Sequence, residues 1–335
     1  MANPSNNPYA VTVRRLQNAP VVEADSVAGY GPIFNAGAIH HDGAFHLFAR
    51  GVREGYSLNT GPGPRFLDYV SDVLVFTSED GIDYTFQQVI ARGSATGVNC
   101  YEDPRIQTIR SGGKDHVMMT YTNLPDPKSG RPWQIGIHRL AYADGRFALN
   151  RTSGRVIGPP GRPDKDAVVF NLRGGRIGMI HRLHPNMQLA LFDSLAALRN
   201  SGADYWDEHI RELDRHTIIS PGPGALGVGA GAPPVATEDG LLLFYHERNA
   251  KKQYTLNVAL LDDETGRVKS LLPEPILRPE LPWERVGDVD DVVFVQGAVP
   301  RPDGTIYLTY GAADRCVGAA SVETSELLRA LRAAA

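Results

Sequence analysis

Tyr101-Glu102-Asp103-Pro104-Arg105 is the string in this chain best equipped to move a proton. A proline disfavours helical backbone in the residue before it, so Asp103 is expected in extended geometry, and a guanidinium such as that of Arg105 nearby would set the protonation of its carboxyl. Such a carboxyl could serve as a general acid at a glycosidic bond, and the same string could equally be an Asp-Pro turn at a strand edge. A second group is cationic: Lys165-Asp166 and His181-Arg182 flank one short segment, with Arg151 shortly upstream. Cations aimed at one point bind phosphate through charge-assisted hydrogen bonds, arginine as a fork and lysine as a point charge, although both residue types also decorate solvated faces.

Other chemistries lack their residues. His40-His41 and His181-x-x-His184 have no carboxylate at a familiar metal-site spacing and HExxH is absent, so no metal is expected. GVGAGAPP, from Gly227, lacks the GK[ST] ending of a phosphate-binding loop and leads toward a strand, and GxSxG does not occur. The 34 Lys plus Arg against 38 Asp plus Glu give a net charge of -4, poor material for binding nucleic acid. With two cysteines, Cys100 and Cys316, a disulfide framework is not expected. The first twenty residues hold no apolar targeting core and no run approaches the ~18 apolar residues of a membrane span, so the expectation is a cytoplasmic protein without a membrane partner.

The elements that must position these residues come from internal repetition. Five segments, beginning at Phe34, Tyr101, Lys165, Gly231 and Asp290, each run from small or polar residues into a short strand, a glycine turn (HDG, SGG, RGG, EDG, PDG) and a strongly apolar strand. They recur roughly every 60 to 67 residues of the 335, and further strands follow most of them, as in DVLVFTSEDGIDYTF and YTLNVALLDDETGRV. Four short antiparallel strands repeated five times predict an all-β, five-bladed β-propeller, a single domain over 1–335. A β-sandwich with chance spacing is the competing arrangement. Helix is expected only in SLAALRNSG and in TSELLRALRAAA, an amphipathic C-terminal helix with a Thr or Ser N-cap.

In a propeller the first strand of each blade lines the channel, so polar residues at its start converge on one mouth. That geometry selects Asn35, Asp103, Lys165 with Asp166, the Gly229 to Pro234 turn, and Asp290 with Asp291. Arg50, Arg151, His181, Arg182, Tyr245, His246 and Asp314 would add to the same rim. Isolated carboxylates beside several cations suit a neutral polyol together with an anion, hence sugar and phosphate.

Taken together, the strings NAGA at Asn35, FARG ending at Gly51, SEDGIDY at Ser78, EDPRI at Glu102, KDAVVF at Lys165, IHR at Ile180, GAGAPPV at Gly229, LLLFYH at Leu241 and IYLTYGAAD ending at Asp314 resemble glycoside hydrolase family 130, the β-mannoside phosphorylases and related mannosidases. The resemblance implies a five-bladed propeller and inverting phosphorolysis of a β-mannoside, β-1,4- or β-1,2-linked, to α-mannose 1-phosphate and a shortened sugar. It places the general acid on Asp103, acting through the mannosyl 3-hydroxyl, and the mannosyl unit on Asn35, Arg50 and Asp314. Phosphate, a co-substrate with no further cofactor, falls to Arg151, Lys165 and Arg182, with His181, Tyr245 and His246 beside them. It leaves association of identical copies open.

The sequence also departs from the family pattern. Arg155 competes with Arg151 in LNRTSGRVIG, YHERN lacks the usual glycine after YH, and SLNTGPGPRFLD reads as an insertion bordering the leaving-group side. Two other readings stand beside phosphorolysis: a β-mannoside hydrolase on the same scaffold, and a noncatalytic carbohydrate-binding propeller.

Overall fold

The five sequence repeats become five antiparallel sheets, in a computed structural model that describes residues 7–62, 65–94, 99–126 and 129–335. Blade I runs from Tyr30–His41 through Ala44–Arg53 and Ser71–Ser78 to Thr85–Ala91; blade II from Cys100–Ser111 through Lys114–Leu124 and Gln134–Ala143 to Arg146–Leu149. Blade III comprises Lys165–Asn171, Ile177–Arg182, Met187–Phe192 and Thr217–Ile219, and blade IV Ala225–Ala230, Gly240–Asn249, Tyr254–Leu261 and Val268–Leu271. Blade V takes Val293–Pro300, Thr305–Ala312 and Cys316–Glu323 from the end of the chain and its outer strand, Val13–Arg15, from the beginning, with Val13 opposite Val322. That closure was not expected from the sequence. Arg15 reinforces it through its Nε, 2.7 Å from Oε1 of the buried Glu284.

Successive side chains of a strand point to opposite faces, and runs such as Val168–Val169 make both faces of a blade apolar. Five apolar clusters form the core, each shared by two consecutive blades: Phe48 with Tyr101 between I and II, Met118 with Val169 between II and III, Val168 with Val228 between III and IV, Phe244 with Val295 between IV and V, and Tyr307 with Leu47 between V and I. The ring of interfaces is therefore closed, and the molecule is a five-bladed β-propeller.

The helices at Leu195–Arg199 and Thr324–Ala333 match expectation, and the first is capped by Ser194, whose hydroxyl accepts from the Ala197 amide at 3.1 Å. The C-terminal helix needs correction at its start. Its cap position is Glu323, without a side-chain bond, because the last strand of blade V runs straight into the helix and leaves Thr324 inside it. Ala203–Arg211 and Leu213–His216 were not anticipated; they form an excursion between the third and fourth strands of blade III and bury Trp206.

What positions the site is a repeated defect. The inner strands of blades I, II and III break register against their neighbours between Phe34 and Gly37, Glu102 and Arg105, and Lys165 and Val168. At each break a short polar residue adopts left-handed backbone: Asn35 at φ 47°, Asp103 at 52°, Asp166 at 56°. Asn and Asp tolerate that region better than other residues with a Cβ, and a bulge re-aims the side chain it carries. Asp103 is thus not extended, as its following proline led us to expect; the bulge overrides the local preference.

Candidate active site

The three bulges turn their side chains into a cavity of about 740 Å³ at the end of the ring where the inner strands begin. Asn35 and Asp103 meet there, the Asn35 Nδ2 donating to Asp103 Oδ1 at 2.8 Å. Arg50, from the second strand of blade I, lies between the rings of Phe34 and Tyr69, each 5.1 Å from its guanidinium carbon. It brings Nη1 to 3.6 Å from Asp103 Oδ1 and pairs with Glu102 through Nη2. Asp314, in the turn after the second strand of blade V, completes this half. Burial pushes its carboxyl up to about 7, against the pull of Arg50 and with the repulsion of Asp103, Glu102 and Asp288. Gly311 must lack a side chain, because a Cβ would run into the Asn35 amide oxygen.

The other half is cationic. Lys165 and Arg182 face each other across the first two strands of blade III and both line the cavity. Beneath them lies the buried carboxylate of Asp166. Arg182 Nη1 stands 3.1 Å from its Oδ2, Arg105 Nη2 3.3 Å from its Oδ1, and His246 Nε2 3.4 Å from its Oδ2. Burial alone would raise the Asp166 carboxyl, but Arg182, His246 and Lys165 outweigh burial and hold it well below the usual carboxylate range. Burial pushes the His246 imidazole down, with Asp166 opposing and Arg182 and Arg105 adding to the effect. Three cations, Lys165, Arg182 and Arg105, therefore share one carboxylate, which leaves this half suited to an anion. Gly229 makes the approach possible, since a Cβ there would strike Asp166 and come within 2.5 Å of His246 Nε2.

Tyr69, Tyr254 and Phe294 form walls, together with the hairpin of Ser57–Leu58 and Phe66–Leu67. The hairpin falls in the insertion-like segment and is tied to the segment that leads into blade V by the Tyr56 hydroxyl and the Arg65 guanidinium, which donate to the Asp288 carboxylate and carbonyl oxygen. The insertion signalled this wall, but no sequence signal marked Tyr254 or Phe294.

Of the residues read from the sequence, Asn35, Arg50, Asp103, Lys165, Asp166, Arg182, His246 and Asp314 share the cavity. The others do not. His181 is buried on the opposite face of its strand from Arg182, its Nδ1 2.8 Å from Asp164 Oδ2. Tyr245 likewise packs in the core between blades III and IV, while its neighbour His246 faces the cavity, as side chains on a strand must alternate. Arg151 is exposed in the short Arg151–Ser153 turn beyond the outer strand of blade II, away from the axis; the competing Arg155 bonds the Thr152 and Gly154 carbonyls and does not line the cavity either.

Arg105 also differs from expectation. It donates to the main-chain oxygens of Asp103, Ala230 and Gly231 and reaches Asp166, not the Asp103 carboxylate. Asp290 and Asp291 accept from the Gly287 amide and the Gln253 side chain instead of lining the cavity. Pro233 and Pro234 lie at a second cavity, about 530 Å³, toward the other end of the inner strands. Among the described residues, no helix is long and apolar enough to cross a membrane.

A family model described as beta-1,4-mannooligosaccharide phosphorylase matches residues 6–333. The chain is 30% identical over 327 residues to a 1,2-beta-oligomannan phosphorylase of Thermoanaerobacter sp. (strain X514), covering 95% of this chain and 99% of that protein. It is 32% identical over 322 residues to a beta-1,2-mannobiose phosphorylase of the same organism, covering 93% and 98%. Its fold superposes with a TM-score of 0.74 on the beta-1,2-mannobiose phosphorylase of Listeria innocua in complex with beta-1,2-mannobiose, at 19% identity and covering 96% and 99% of the two chains. A propeller with these whole-length relatives is an enzyme of the glycoside phosphorylase type. The chain belongs to glycoside hydrolase family 130.

Proposed function

We propose that this enzyme catalyses inverting phosphorolysis of a β-mannoside, with a β-1,2-linked mannooligosaccharide as its preferred substrate, releasing α-mannose 1-phosphate and a sugar one unit shorter. The observation that carries this reading is the meeting, in one cavity, of a buried acid bracketed by Asn35 and Arg50 and a net-positive patch at Lys165 and Arg182. The two relatives matched nearly end to end, both acting on β-1,2-linked mannans, support the linkage.

In this scheme Asn35, Arg50 and Asp314 hold the mannosyl ring. Asp103 gives up a proton that travels by way of the mannosyl 3-hydroxyl to the glycosidic oxygen, and the bond from that oxygen to the anomeric carbon breaks. A phosphate oxygen, held by Lys165 and Arg182, bonds the anomeric carbon from the opposite face, so the β configuration becomes α in a single displacement. Phosphate takes the place of the water and second carboxylate of an inverting hydrolase, and its charge is met by groups fixed before it arrives. With its carboxyl pushed up to about 7 by burial, Asp314 can donate to a sugar hydroxyl as well as accept from one.

Running the reaction backwards tests the linkage. With mannose 1-phosphate and an acceptor panel, mannose and β-1,2-mannobiose should accept and the new bond should be β-1,2. Transfer only to the 4-hydroxyl of an acceptor would overturn the linkage assignment.

A further inference from the structure

Behind the wall that carries Arg182 stands a file of side chains that do not line the cavity: Asp164, His181 and His209, all buried, followed by the half-buried His216. Asp164 Oδ1 accepts the Arg182 amide at 3.2 Å and its Oδ2 lies 2.8 Å from His181 Nδ1. His181 Nε2 is 3.1 Å from His209 Nε2, and the rings of His209 and His216 stack at 4.1 Å.

With both imidazoles neutral, the hydrogen bonds run in one direction. A carboxylate only accepts, so His181 Nδ1 is its donor. His181 Nε2 then accepts, and His209 must donate from Nε2. This agrees with His209 Nδ1, which is buried without a hydrogen-bond partner among the described residues, and with an imidazole that burial, and then His181 and His216, push down to about 3. Trp206, from the unanticipated helical excursion, packs edge-on against both His181 and His209.

The location of the file gives it a purpose. Asp164 immediately precedes Lys165 and His181 immediately precedes Arg182, where the ladder of blade III is interrupted between Lys165 and Val168. The strand ends that bear the two cations thus lack a continuous set of main-chain rungs. We propose that Asp164, His181 and His209 form a positioning clasp that replaces those rungs and holds Lys165 and Arg182 at the spacing an incoming phosphate requires. The excursion Ala203–Arg211 then belongs to the anion-binding machinery although it never touches the ligand. The inference rests on the phosphate reading of Lys165 and Arg182 given above.

Steady-state kinetics on the full chain, with β-1,2-mannobiose and inorganic phosphate varied separately, test it. Asp164→Asn should raise the phosphate KM about tenfold and move the mannobiose KM less than about twofold, since displacement of the cations affects the anion alone. His209→Leu, which removes the donor, should raise the phosphate KM, and His209→Gln, which keeps an N–H at that place, should restore it to near the wild-type value. Arg182→Ala is the control.

If Arg182→Ala raises the phosphate KM while Asp164→Asn and His209→Leu leave it unchanged, or move both KM values alike, the clasp is wrong and the phosphate reading stands. If Arg182→Ala itself leaves the phosphate KM unchanged, that reading falls and the clasp with it. Should Asp164→Asn fail to fold, the His209 pair decides: a phosphate KM raised in Leu and restored in Gln supports the clasp, and equal behaviour of the two variants overturns it.

Discussion

Replacing Asp314 by Asn should reverse part of the protein's pH-dependent stability. The Asp314 carboxyl has an ordinary value of 3.8 and is pushed up to about 7 by burial, with Asp103, Glu102 and Asp288 adding to the effect and Arg50 opposing it. A folded value above the unfolded one means that the unfolded chain gives up this proton first. Stability contributed by the neutral carboxyl is therefore full below about pH 4 and is lost as pH rises toward 7. At about 1.4 kcal/mol per tenfold change in proton affinity, the loss has a ceiling of about 4 kcal/mol above pH 7. Asp314 keeps partial contact with the cavity solvent, so we expect about 2 kcal/mol between pH 5 and pH 8.

Asparagine carries no such penalty. In urea unfolding without sugar or phosphate, the stability of Asp314→Asn relative to wild type should rise by about 2 kcal/mol on going from pH 5 to pH 8. A stability difference that is the same at both pH values would refute the reasoning, because it would mean that the Asp314 carboxyl ionises in the folded protein as readily as in the unfolded chain.

Three further substitutions probe the site. Asp103→Asn should lower kcat by about 10² to 10⁴ while calorimetry shows mannobiose binding within a few-fold of wild type. Lys165→Ala should cost roughly 2 to 4 kcal/mol of transition-state stabilisation, read as a raised phosphate KM and a nearly unchanged mannobiose KM. Gly229→Ala places a methyl group against Asp166 and His246 and should lower stability by about 1 to 3 kcal/mol in thermal or urea unfolding and reduce activity at saturating mannobiose.

The ring was readable because each repeat carries its own turn chemistry between apolar runs, a local signal. The closing strand Val13–Arg15 was not, since three residues are too few to establish a period of two and their partner lies at the far end of the chain. The excursion Ala203–Arg211 was missed for a related reason: it buries only Trp206 and His209, too short a stripe to mark a helix. At the site, residue types were legible and their directions were not. Neighbours on a regular strand face opposite ways, so Arg182 and His246 reach the cavity while His181 and Tyr245 cannot. Lys165 and Asp166, also neighbours, both reach it because a bulge separates them from the regular ladder. Arg105 finds Asp166 on the neighbouring blade, a partnership between blades that no local pattern encodes.

In this mechanism phosphate, and not water, attacks the sugar. Purified enzyme incubated with β-1,2-mannobiose should, by phosphorus and proton NMR, form α-mannose 1-phosphate and mannose in equal amounts when phosphate is present, and leave the disaccharide intact when it is absent. Release of two mannoses per disaccharide at the same rate in both samples would contradict it.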